Sequence, residues 1–178
     1  MRALEGIRVL DLGQIYNGPY CAMLLGYLGA EVIKVEPPSG ESTRSRVKGK
    51  EAYPFMMLNG NKKDICINLK SDIGKKIFLD LVRKADVVVE NYAVGVMDRL
   101  GLSYEVLSQA NPRIIVASGK GFGSWGPNKD FLAMDLTVQA MTAVMSVTGF
   151  EDQPPVKAGF FRFWGDPLNG GVRRPISA

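Results

Sequence analysis

The chain has 178 residues, 46% of them apolar and 22% charged, with a net charge of +4. That is length enough for one domain with a real core, and the composition excludes a disordered or collagen-like chain. No apolar run reaches the ~18 residues of a membrane helix, and no arginine-rich helix or interleaved aromatic-basic pattern accompanies the mild basicity, so neither a membrane nor a nucleic acid is expected as partner.

Histidine is absent altogether. That removes the commonest general base, every Ser-His or Cys-His nucleophile pair and every histidine zinc site, and no metal site is expected. Cys21 and Cys66 make no disulfide framework and read as small buried apolar residues. The opening MRALEGIRVLDL has no signal-peptide core, so a cytoplasmic protein is expected.

Residues Gly6 to Pro38, GIRVLDLGQIYNGPYCAMLLGYLGAEVIKVEPP, predict strand, turn, helix and strand. Ile7, Val9, Leu10 and Leu12 form a short apolar run suited to a buried strand. In the turn from Gly13 to Pro19, Gly18 permits close backbone approach, and Pro19 suits the first position of a helix, where its missing N–H costs nothing. Tyr20, Met23, Leu24, Tyr27 and Leu28 then make an apolar stripe at helical spacing, expected to be the inner face, and Gly29 is a natural stop. Val32, Ile33 and Val35 make the next strand, closed by Pro37-Pro38. One right-handed βαβ unit results, with a ligand expected at its first turn, outside the carboxyl end of the strand. That turn carries no G-x-G-x-x-G, and no P-loop occurs anywhere, so the expected fold is Rossmann-like without the usual phosphate cradles.

Ser39 to Lys50 is polar, basic and aperiodic: a surface loop in which Arg44 or Lys48 is either solvated or in contact with phosphate. Tyr53 to Leu58, aromatic and Met-rich, reads as buried. Asp64 to Leu69 alternates, a half-buried strand with Lys70 at its end. Ser71 is placed as a helix N-cap with Asp72 in the first turn, and Ile73, Ile77, Phe78, Leu81 and Val82 as the buried face. Asp86 to Glu90 is a short buried strand followed directly by Asn91-Tyr92. Two short helices, Val94 to Leu100 and one capped by Ser103, lead to a strand over Ile114 to Ser118. Gly119, Gly121, Gly123 and Gly126, with Lys120 among them, form a loop that either presents backbone N–H groups to an anion or is a plain flexible turn. Met134 to Val147 reads as one helix with Met134, Val138, Met141 and Met145 on one face, and Val156 to Gly159 opens a strand. Beyond Gly159 the texture becomes aromatic, then glycine-rich, then basic, without periodicity. Residues 1–159 are therefore expected as one Rossmann-like part, and 160–178 as an atypical, truncated or altered end.

Taken in order, several pieces resemble the N-terminal part of the class III CoA-transferases, which include formyl-CoA:oxalate, carnitine and mesaconyl-type enzymes. They are GIRVLDL at Gly6 to Leu12, GPYCAMLLGYLGAEVIKVEPP at Gly18 to Pro38 and NGNKKDICINLK at Asn59 to Lys70. ADVVVENY at Ala85 to Tyr92, VMDRLGLSYEVL at Val96 to Leu107 and NPRIIVASGKGFG at Asn111 to Gly123 continue the series, and AMDLTVQAMTAVMSVTGF at Ala133 to Phe150 and PPVKAG at Pro154 to Gly159 complete it. The resemblance runs over residues 4–159, and ASGKGFG followed by AMDLTVQAM is most similar to the mesaconyl-type members. It implies an α/β fold with an open, mainly parallel sheet and helices on both faces, incomplete relative to the family. It also implies coenzyme A or acyl-CoA as substrate with no permanently bound cofactor, a carboxylic acid as second substrate, and a homodimer, interlocked in full-length relatives.

The family's chemistry starts when an Asp carboxylate attacks a thioester carbonyl and ends, after a mixed anhydride and an aspartyl-CoA thioester, with CoA on the acceptor acid. A carboxylate ionised at neutral pH needs no histidine for this. By the resemblance, Ile15-Tyr16-Asn17 lie by the thioester and pantetheine end, and Tyr16 stands where oxalate-type members carry Gln, which disfavours oxalate. Ile67 and Lys70 fall on adenine and phosphate contacts, Asn91, Tyr92 and Ala93 lie along the cofactor, and Arg99 falls on a phosphate contact. Ala93 replaces an Arg of many relatives. Asp166 is the nucleophile candidate, about two residues late after PPVKAG. Two readings stay open: a transferase, inactive in this short form or not, and a non-catalytic CoA-binding module. An α-methylacyl-CoA racemase relative, which places His beside Asp at Met134-Asp135, is disfavoured by the lack of histidine.

Overall fold

A computed structural model of the chain describes residues 2–44, 53–150 and 152–158, and the backbone of 171–173. Strands β1 (Arg8–Asp11), β2 (Glu31–Glu36), β3 (Lys63–Cys66), β4 (Val87–Glu90) and β5 (Ile115–Ser118) pair in parallel, and β6 (Gly171–Arg173) adds antiparallel to β5. The spatial order is β3-β2-β1-β4-β5-β6. The order reverses between β1 and β4, so the chain ascends on either side of that pair and leaves a crevice above its carboxyl ends.

The side-chain alternation of β1 divides the core. Leu10 and Leu12 join Phe78, Val82, Leu107 and Ile114 on one face of the sheet, and Val9 joins Ala22, Val32 and Val89 on the other. Helices α3 (Asp72–Val82) and α5 (Tyr104–Ala110) cover the first face, and α1 (Asn17–Tyr27) covers the second. The remaining helices are α2 (Tyr53–Asn59), α4 (Val96–Arg99) and α6 (Asp135–Met141), with a 3-10 turn over Val144–Val147. Ser71 Oγ accepts from the Gly74 N–H at 3.1 Å and Ser103 Oγ from the Val106 N–H at 3.5 Å, the caps expected for α3 and α5. Gly29 and Gly101 follow α1 and α4 with φ of +111° and +70°, where a residue without Cβ is needed. Among the described residues no helix is long and apolar enough to cross a membrane.

The inner faces of the helices differ from expectation. In α1 the buried residues are Gly18, Pro19 and Ala22, while Leu24, Tyr27 and Leu28 are 41%, 66% and 52% exposed. Small residues let the helix lie close to the sheet, and the large stripe is turned outward. Pro19 sits third in α1, still in the first turn, where no intrahelical donor is lost. In α3 the buried positions are Gly74, Phe78 and Val82, and Ile73 and Ile77 are exposed. The run Tyr53 to Leu58 is helical with only Leu58 buried. The expected helix from Met134 to Val147 breaks at Ala143, whose φ is +61°, and the one buried residue of α6 is Gln139. Residues Val156 to Ala158 form no strand.

Candidate functional site

The crevice at the β1/β4 reversal is bounded by three segments: the turn after β1, the residues after β4 and the glycine-rich loop after β5. The turn depends on close backbone contact. A Cβ on Gly18 would meet Gly13 Cα at 2.6 Å, and one on Gly13 would meet the Gly18 carbonyl carbon at the same distance. The close approach expected of Gly18 is thus made to Gly13. Ile15 holds a left-handed φ of 65°, a strained conformation for a branched residue, and its N–H donates to Glu41 Oε1 at 2.9 Å.

Asn91, just past β4, ties the two sides together. Its Oδ1 accepts from the Gln14 N–H at 2.7 Å and its Nδ2 donates to the Gln14 carbonyl at 2.8 Å. Beneath the turn lies a buried charge cluster. Lys62 Nζ donates to Asp11 Oδ2 at 2.7 Å, to the Pro19 carbonyl at 2.8 Å and to Asn59 Oδ1 at 2.8 Å, so all its protons are used. Burial pushes the Lys62 ammonium down against the pull of Asp11, and burial, then the charge of Asp11, pushes the nearby Cys21 thiol up.

A cleft opens at this crevice, lined by Asn17, Asn91, Tyr92, Ala93 and Val94 on one side and by the loop from Gly119 to Gly123 with Lys129 to Met134 on the other. Gly119 lies so near Asn17 that a Cβ there would sit 2.5 Å from Asn17 Nδ2. Phe122 and Phe131 meet edge to face with centroids 6.0 Å apart, an apolar wall. Burial, then the charges of Glu90 and Asp11, push the Tyr92 phenol up to about 12, so it stays a protonated donor at neutral pH. A second cleft lies beside the first, between β4, β5, α4 and α5, and Lys120 borders both.

The structure brings Asn17, Asn91, Tyr92 and Ala93 together in one cleft, with Ile15 and Tyr16 half-buried in the adjoining turn. Ile67 is 5% exposed and belongs to the core. Lys70 and Arg99 are exposed, line neither cleft, and engage no ion pair among the described residues. Asp166 lies outside the described residues, as does Lys48. Arg44 is committed elsewhere: its guanidinium forks onto Glu36 at 2.7 and 2.8 Å, reaches Asp64 at 2.6 Å and lies 3.8 Å over the Phe55 ring. Burial raises the Glu36 carboxyl, but Arg44 and the Glu41 N–H outweigh it and hold it below the usual range. Sequence reasoning missed Lys34, Glu41 and Lys62 as supports of the turn. The one readable signal was a lone lysine in the apolar strand VIKVE.

Comparison with known proteins gives one consistent answer. The sequence model of CoA-transferase family III matches residues 4–170. The chain is 46% identical over 161 residues to the formyl-CoA:oxalate CoA-transferase of Streptomyces avermitilis, covering 89% of this chain and 39% of that one. It is 46% identical over 158 residues to the acetyl-CoA:oxalate CoA-transferase of Acetobacter aceti, covering 87% of this chain and 41% of that one. Among solved structures, a CaiB/BaiF family protein from Brucella suis superposes with a TM-score of 0.83 at 38% identity, over 89% of this chain and 44% of that one. A protein from Mycobacterium tuberculosis superposes with a TM-score of 0.84 at 35% identity, over 90% and 45%. The chain thus spans about two fifths of the length of the curated relatives it matches.

Proposed function

This chain belongs to CoA-transferase family III, and from that premise we propose that it takes an acyl-CoA thioester and a carboxylic acid and moves CoA from the first to the second. The observation that carries the reading is the convergence of Asn17, Asn91, Tyr92 and Ala93 on one cleft at the sheet's reversal point, where open α/β sheets hold ligands. In this reading Ile15-Tyr16-Asn17 border the thioester and pantetheine arm and Asn91-Tyr92-Ala93 run along it. Lys70 and Arg99 are cations without a protein counter-ion among the described residues and serve the phosphates, with Ile67 at the adenine end.

The chemistry needs a carboxylate nucleophile, and Asp166 fills that role in the proposal. Its carboxylate attacks the thioester carbonyl, CoA thiolate leaves, and a mixed anhydride forms. The thiolate returns to the aspartyl carbonyl, releasing the donor acid as its carboxylate and leaving an aspartyl-CoA thioester. The acceptor carboxylate repeats the two steps in reverse. Each tetrahedral oxyanion requires donors, a role suited to the backbone N–H groups of residues 120–122, since those of Gly119 and Gly123 donate to the Glu90 and Lys120 carbonyls. The names of the curated relatives make oxalate the first acceptor to test, whereas Tyr16 in place of Gln argues for a different acid. A second reading, CoA binding without turnover, rests on the two-residue displacement of Asp166 from the spacing its family resemblance leads one to expect.

The test is calorimetric titration with CoA, followed by incubation with an acyl-CoA, trapping with hydroxylamine and mass spectrometry at Asp166. Saturable binding with a label at Asp166, lost in Asp166→Asn, supports the transferase. Binding without label supports the second reading. No binding of CoA contradicts both. Arg99→Ala is expected to weaken CoA by about 1.5–3 kcal/mol, the scale of a hydrogen bond to a charged group.

A further inference from the structure

Resting on the reading that this crevice takes CoA, we propose that Asp11, Lys34, Glu90 and Lys120 are positioning residues: two matching buried acid–lysine clamps that hold the two lips of the crevice in the shape the ligand meets.

The two central strands end alike. Asp11 is the last residue of β1 and Glu90 the last of β4. Each carboxylate turns forward to accept the N–H of the second residue after it: Asp11 Oδ1 from Gly13 at 2.8 Å, and Glu90 Oε2 from Tyr92 at 2.9 Å. In each case the carbonyl of that same residue accepts from a lysine of the neighbouring strand or the loop that follows it. Lys34 Nζ donates to the Gly13 carbonyl at 2.8 Å, and Lys120 Nζ to the Tyr92 carbonyl at 2.5 Å. Lys34 stands in register with Asp11, and Lys120 comes two residues after Ser118, the register partner of Glu90. Lys120 also offsets its acid, 2.6 Å from Glu90, whereas Asp11 is offset chiefly by Lys62 at 2.7 Å, with Lys34 at 4.0 Å. Asn91 joins the lips through both polar groups of Gln14.

Peptide groups of an exposed turn normally bond to water and reorient freely. Here Gly13, Gln14 and Tyr92 have both their N–H and C=O held by side chains anchored in the sheet or just past it. Asp11, Lys34 and Glu90 are at most 2% exposed, and the Lys120 side chain is 12% exposed. Charge-assisted bonds in such surroundings are strong and directional. A buried ion pair is a poor way to gain stability alone, since well-packed apolar residues serve as well or better. What these pairs supply is a fixed direction for two lip peptides, so that ordering is complete before a ligand arrives.

The double variant Glu90→Gln/Lys120→Met separates positioning from stability. The amide oxygen introduced by Glu90→Gln would still accept from the Tyr92 N–H, the methionine side chain would keep the lysine's stem, and no uncompensated buried charge would remain. We expect the single variant Lys120→Met to unfold at lower temperature and the double variant to recover most of that loss. In the double variant, ligand-free hydrogen exchange at residues 91–94 should be at least ~10-fold faster, with the sheet amides unchanged. Its affinity for CoA should fall at least ~10-fold, while affinity for adenosine 3′,5′-bisphosphate, which lacks the pantetheine arm, stays as in the parent. Parent-like exchange in the double variant, parent-like CoA affinity, or an equal loss for both ligands would overturn the proposal. If the parent chain binds neither ligand, the CoA reading fails, and the exchange measurement still decides whether the clamp orders the lip. Should the double variant not fold, Asn91→Ser releases Gln14 without touching a charge and is read by ligand-free exchange at residues 13–15: a rise supports the clamped lip, and unchanged exchange overturns it.

Discussion

The crevice and the outer flank of α1 and α2 are built on opposite plans. At the crevice, charged side chains are buried and their polar atoms are met: Lys62 by three acceptors, Glu41 by the Ile15 and Thr43 amides, Glu36 by Arg44 and the Glu41 amide. On the flank, large apolar side chains face outward: Leu24 and Tyr27 from α1, Leu28 just after it, and Tyr53, Met56 and Met57 from α2. Polarity guides burial in the core of this fold but not at the carboxyl ends of its strands. Apolar packing fills both faces of the sheet, but the carboxyl ends of the strands are stabilised by pairing, and pairing is sensitive to the loss of a single partner.

Substitutions sharpen this contrast from the largest effect downward. Lys62→Met leaves the fully buried Asp11 carboxylate with the Gly13 N–H and no cation nearer than Lys34 at 4.0 Å, and should destabilise by about 3 kcal/mol in urea unfolding. Adding Asp11→Asn should recover part of the loss. A Lys62→Met variant as stable as the parent would erase the distinction between the regions. Gly18→Ala follows. In an ordinary helix the change would stabilise, but here the new Cβ meets Gly13 Cα at 2.6 Å, and we expect a loss of about 1–3 kcal/mol. On the flank, Tyr27→Gln and Leu28→Gln should each change stability by no more than about 0.5 kcal/mol, because both side chains are more than half exposed. A loss comparable to that of Gly18→Ala would show that the flank is covered.

The smallest effect belongs to the open ion pairs of Glu31. The hydrogen bond from Lys63, then that from Arg8, holds its carboxyl below the usual range. A lowered carboxyl contributes stability above its unfolded value and loses it as pH falls through the folded one. Glu31→Gln should therefore leave the melting temperature nearly unchanged at neutral pH and slightly reduce its decline toward pH about 3, an effect limited by solvent screening.

Much of this fold was legible in the sequence. The strands at Val9, Val32, Val88 and Val116 stood out as short branched runs, and Ser71 and Ser103 as caps, because those signals are local. The buried faces of α1 and α3 were not legible. Periodicity points to the largest side chains, while close helix-on-sheet packing selected Gly18, Ala22 and Gly74. Ala143 in a left-handed conformation broke a helix that propensity favours. Asn91 and Tyr92 could be picked from their place after a strand. Lys34 left one trace, a lone lysine in an apolar strand. Glu41 and Lys62 left none, because they act on the turn across 26 and 51 residues of sequence, and no local pattern records such a contact.

CoA binding is proposed at the β1/β4 crevice. Titrating CoA into the isotopically labelled chain and following backbone amide shifts tests it most directly. Saturable shifts are expected at residues 13–17, 91–93 and 119–123. Absence of saturable shifts, or shifts confined to the flank at residues 24–28 and 53–57, would contradict it.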